Sequence, residues 1–113
     1  MNKKIKKLWL AALRTPSDEG GYLKTKGAMH AVNIQGQDTF CCLGVLANIH
    51  ELTCPTEPFT VGPGHVTNPF GFNLGPPALH GWAGLEGHQA TNLAIVNDRT
   101  DTFAEVIAII ETL

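Results

Sequence analysis

The chain has 113 residues, 43% of them hydrophobic and 16% charged, with a formal net charge of −2. That size and composition predict one globular α+β domain over residues 1–113 and exclude a disordered chain. The near-neutral balance supplies no field that would recruit nucleic acid or an anionic membrane, and no apolar run reaches bilayer length.

Met1 to Lys7 is basic and Leu8 to Leu13 is apolar. The stretch ends at Arg14-Thr15-Pro16 without a small-residue cleavage site, so it reads as mature structure. Ile5, Leu8, Trp9, Ala12 and Leu13 recur at helical spacing and predict an amphipathic N-terminal helix. Thr15-Pro16 stops it, because the residue before proline is pushed out of the helical region.

From Ala28 to Ile34 the chain alternates, with Val32 and Ile34 on one side and Met29, Ala31 and Asn33 on the other. Gln35-Gly36-Gln37 supplies a turn, and Asp38 to Phe40 returns as the second strand of a β-hairpin. A three-residue loop places Phe40 opposite Val32, with His30 a hydrogen-bonded, half-buried residue on the same face.

Cys41 to Leu52 predicts a buried central helix with two apolar stripes, Leu43-Leu46-Ala47-His50 and Cys42-Val45-Ile49-Leu52. Asp38 or Thr39 is the expected cap. Gly44 costs about 1 kcal/mol inside a helix, which implies that another backbone packs close to it.

Thr53 to Pro77 is rich in proline and glycine and reads as a surface excursion loop carrying Phe59, Phe70 and Phe72. Short C-terminal helices follow. A turn over Ala78 to Leu85 carries Trp82, a second helix over Asn92 to Asn97 is capped by Thr91, and Thr102 to Glu105 opens the last one as a capping box.

The order Leu8-Trp9-Leu10-Ala11-Ala12-Leu13-Arg14, Phe40-Cys41-Cys42-Leu43-Gly44-Val45-Leu46, Trp82-Ala83-Gly84-Leu85, Leu93 to Asp98 and Phe103 to Ile107 resembles a set of small bacteriophage proteins. The likeness covers both ends and the centre and omits Thr53 to Gly75. It departs at Met29 and at Val96. It implies phage origin and brings no activity with it.

Three cysteines, two of them adjacent, make a poor disulfide framework and fit reduced thiols in a host-cell cytoplasm. At a helix start Cys41 or Cys42 could act as a thiolate, with a histidine as base and Asn97 or Asp98 orienting it. The competing reading packs Cys42 as a small core hydrophobe. Ser17 is the only serine, and C-x-x-C and H-E-x-x-H motifs are absent, so neither a serine hydrolase nor a cofactor or metal site is expected.

The sequence leaves two main functions open. One is a phage binding protein that sequesters a small nucleotide-type signal of host immunity without consuming it. Lys24, Lys26 and Arg99 would meet its phosphates, Trp82, Phe70 or Phe72 would stack on its base, and Asn97 and Asp98 would receive its ribose hydroxyls. The other is an inhibitor whose Phe59, Phe70 and Phe72 loop covers a host protein; a small cysteine-dependent enzyme ranks behind both. Leu10, Ile109 and Leu113 lie off the main stripes of the terminal helices and predict a homo-oligomer.

Overall fold

The computed structural model describes residues 1–54 and 77–113, with side chains from Ala78 onward in the second part. Among them, helices α1 (Lys3–Arg14), α2 (Cys42–Thr53), α3 (Pro77–Ala83), α4 (Gly87–Arg99) and α5 (Ala104–Glu111) surround strands β1 (Leu23–Lys24), β2 (His30–Val32) and β3 (Asp38–Phe40). The fold is α+β, with β3 central in the order β1-β3-β2, parallel to β1 and antiparallel to β2.

Helix α1 begins where Asn2 Oδ1 accepts from the Ile5 N–H at 3.1 Å, satisfying one orphan donor of the first turn. It ends at Thr15, whose backbone is extended ahead of Pro16 as the sequence requires. Trp9 is fully buried and its indole N–H donates to the Cys42 carbonyl at 2.9 Å, tying α1 to the start of α2. The aliphatics expected to be spare are used at home. Leu10 is buried, and Ile109 and Leu113 pack partly buried against the same core. Leu8, expected on the buried stripe, is exposed.

The hairpin forms in a different register from the one the alternation suggests. Phe40 pairs with His30, and Val32 pairs with Asp38. The connection spans Asn33 to Gln37, because the Asn33 carboxamide accepts from the Gln35 and Gln37 N–H groups and holds a longer turn. Val32, at the turn end of β2, is 54% exposed and Ile34, in the turn itself, 98% exposed, while Met29 is fully buried.

Helix α2 is the buried centre, and both stripes sink into the core except Leu52 at its far end, which is exposed. Its cap is Cys41, whose sulfur accepts from the Gly44 N–H at 3.4 Å, in place of Asp38 or Thr39. A Cβ built on Gly44 would stand 1.8 Å from the Met29 carbonyl oxygen, so the close backbone approach expected there is the strand entering β2.

Helix α4 is longer than the Asn92–Asn97 expected. Glu86 and Gln89 form a capping box one turn upstream, which makes Thr91 an interior residue bonded back to the Gly87 carbonyl. The capping box expected at Thr102 is absent. Phe103 is the N-cap of α5, and Thr102 Oγ1 only accepts from the Ala104 N–H at 3.3 Å.

Candidate functional site

Two of the three cations expected to grip phosphate, Lys24 and Lys26, grip the protein instead. Lys24 Nζ donates to the Asn97 carbonyl at 2.6 Å and to the Thr100 carbonyl at 2.5 Å, so it closes the C-terminal end of α4, where a cation complements the helix dipole. Desolvation, with Lys26 nearby, lowers its pKa from the ordinary lysine value. Lys26 pairs with Asp101 at 2.9 Å, and that hydrogen bond holds the Asp101 carboxyl below its ordinary pKa.

Asn97 is fully buried. Its Oδ1 accepts from the Cys42 N–H at 3.2 Å and its amide donates to the Thr25 carbonyl at 3.0 Å and to Asp98. Asp98 Oδ1 in turn accepts from the Gly27 N–H at 2.9 Å. These bonds anchor the segment after β1 to the end of α4, so Lys24, Asn97 and Asp98 are structural, and a ligand hydroxyl would have to displace them. Arg99 is exposed beside this cluster in sequence.

Trp82 and Lys24 line different recesses. Trp82 is half-buried, meets the His50 ring edge-on at 4.7 Å, and lines a cavity of about 310 Å³ with Asn2, Lys4, Ile5, Leu8 and Cys54. Phe70 and Phe72, like Phe59, lie outside the described residues.

The adjacent thiols are both buried, which disfavours the thiolate. Burial pushes Cys41 up to about 11, against smaller lowering by the Gly44 and Leu43 N–H groups. Burial and then the Cys41 neighbour raise Cys42 well above its ordinary value, and its Sγ faces the Leu93 carbonyl at 3.8 Å. The helix-start position that lowers a thiol pKa at an exposed site is outweighed here by desolvation.

A polar cavity that periodicity did not reveal opens between the hairpin and α2. It measures about 240 Å³ and is lined by His30, Asp38, Phe40, Gly44, Asn48 and Glu51. Because His30 and Phe40 are cross-strand partners, their rings share a face and stack at 4.8 Å with planes 6° apart. Tyr22 meets the other ring partner, Phe40, edge-on at 5.0 Å, and its hydroxyl accepts from Asn48 Nδ2 at 2.5 Å. Asp38 Oδ1 lies 2.8 Å from His30 Nε2 and fixes the imidazole. On the facing helix, Gly44, Asn48 and Glu51 follow i, i+4, i+7 spacing, and the missing side chain at Gly44 leaves room at that end.

That polar stripe was the available signal. It runs between the two apolar stripes of α2, but the hairpin residues it faces depend on the register set by Asn33. A larger, more open cleft of about 520 Å³ runs between Leu13–Asp18, Tyr22–Lys24 and Thr102–Ile107. Its two cations are engaged, Lys24 as above and Arg14 with Glu111 at 3.3 Å.

Among the described residues no cluster of three or more metal-ligating side chains is present, and no described helix is long and apolar enough to cross a membrane. Fold and cavity together define a small α+β domain with a recess, sized for one ring and its substituents, between a hairpin and its central helix. The chain belongs to the family described as a domain of unknown function, DUF8296, which matches it over residues 1–113. No curated protein and no solved structure matches it.

Proposed function

We propose that this protein is a phage accessory protein that counters host defence in the host cytoplasm by holding a small nucleotide-type signal without consuming it. The observation that carries this reading is the cavity walled by the His30–Phe40 stack and rimmed by Asp38, Asn48 and Glu51. An aromatic wall suits a base, and carboxylate and amide oxygens suit ribose hydroxyls. The likeness of the chain's motifs to phage proteins supports the origin. The burial of Cys41 and Cys42 supports binding over thiol-dependent turnover.

The test is calorimetry against a panel of cyclic and ADP-ribose-type nucleotides, with mass spectrometry of the ligand released by heat. Binding with the ligand mass unchanged is the expected result. Phe40→Leu weakens binding by about 1–3 kcal/mol, as loss of a stacking ring does, while Trp82→Ala leaves it unchanged. Circular dichroism of both variants separates loss of contact from loss of fold. A silent panel, a hydrolysed ligand, or full binding by correctly folded Phe40→Leu overturns the reading.

A further inference from the structure

We infer that the cavity between the hairpin and α2 selects a flat ring carrying a positive charge over the same ring when neutral or anionic. This rests on the reading above that the cavity is the ligand site, and it names the chemistry that the site prefers.

The described lining contains two carboxylates, Asp38 and Glu51, one imidazole, His30, and no lysine or arginine. Two negative charges against at most one positive leave the lining net negative whichever state His30 takes. Asp38 is bonded to His30, whereas Glu51 reaches the cavity from the exposed side of α2. Both carboxylates offer acceptors only, and Asn48, with one amide hydrogen on the Tyr22 hydroxyl, adds a carbonyl acceptor and one remaining N–H.

The lining thus combines acceptors with aromatic rings, the combination that attracts a cation electrostatically and through ring quadrupoles. An anionic group inside the recess would meet like charge, so the phosphates of a nucleotide whose ring entered it would lie outside, in solvent. Of the cations expected to meet a phosphate, Lys24 and Lys26 are bound to carbonyls and to Asp101, and none of Lys24, Lys26 and Arg99 lines the cavity. The volume, about 240 Å³, falls just below the range of about 300–1,000 Å³ typical of whole-ligand pockets, so it fits one ring rather than a dinucleotide.

Three probes share one ring and differ in charge: 1-methylnicotinamide, quaternised at the ring nitrogen, is cationic, nicotinamide neutral and nicotinic acid anionic. Each is titrated into isotopically labelled protein while the backbone amide resonances of Phe40, Gly44 and Asn48 are followed. The expected result is that the cation binds about tenfold more tightly than the neutral ring, with the anion weakest, and that rising salt narrows the gap. Glu51→Gln, which removes an exposed charge from the rim and is compatible with the fold, narrows the cation-to-neutral ratio about threefold to fivefold. Asp101→Asn, a carboxylate outside the cavity, leaves the ratio as it was.

Equal binding of the three probes, preference for the anion, or no shift at the cavity amides overturns the inference. A nucleotide panel that binds while these probes are not discriminated refutes only the charge preference. Discriminated probes with a silent panel refute only the nucleotide reading.

Discussion

Asn97 joins three separate stretches of backbone through one buried carboxamide, accepting from Cys42 and donating to Thr25 and Asp98. Asn97→Ala strands a buried N–H and a carbonyl together, and the expected loss is on the order of 2–4 kcal/mol, read as a shift in the urea midpoint. A role confined to ligand contact would leave that midpoint in place. The sequence contained this residue's role in outline, since Leu93, Ala94 and Asn97 share one helical face and an amide on an apolar stripe is a core amide. Its polar neighbours Asp98, Thr100 and Asp101 made it read as part of a surface cluster. The partners could not be read, because Thr25 and Cys42 are distant in sequence.

The thiols give a second expectation at this scale. Cys41 is buried, and its pKa rises from 9.0 to about 11 on folding. The folded state therefore favours the protonated thiol, and the associated stability is intact below pH 9.0 and declines as pH climbs toward about 11. Alkylation of native protein at neutral pH should mark Cys54, which is only partly buried, well before Cys41 or Cys42. Mass mapping of the labelled peptides checks the order, and fast labelling at Cys41 contradicts it. Comparing the alkaline stability profile of Cys41→Ala with that of the parent isolates the thiol's share.

Among the elements, α2 and the hairpin decide the architecture jointly. The run of apolar residues made a buried helix plain, and a glycine in its interior announced a close neighbour. Gly44→Ala would drive a methyl group into the Met29 carbonyl, and strand and helix would have to part. A loss of at least about 2–3 kcal/mol is expected, far beyond what helix propensity alone would give back, and thermal unfolding measures it. The hairpin was the harder element. A two-residue slip leaves strand alternation unchanged, and the choice between the two registers lay in the side-chain bonds of Asn33, which put Val32 at the turn end opposite Asp38, Ile34 in the turn and His30 opposite Phe40. The cavity exists only in that register, so no stripe on α2 could have announced it alone.

At the scale of the whole molecule, α1 lies against α5 and is bound to its end. Lys6 Nζ donates to the Glu111 carbonyl at 2.8 Å, and Arg14 pairs with the Glu111 carboxylate. Val106 and Ile110 of α5 are fully buried in the core that also holds Trp9. Truncation after Thr102 therefore removes three buried core side chains, Phe103, Val106 and Ile110, along with the neighbour of the first helix. The shortened chain is expected to lose its near-ultraviolet dichroism and its cooperative thermal transition. The same pairing has a meaning in time. The ribosome delivers α1 well before α5, at about 5–20 residues per second, so the apolar stripe of α1 waits for seconds before its partner exists. A nascent chain stalled before Ala104 should be cut readily by a protease, and resistance should appear only after α5 has cleared the tunnel.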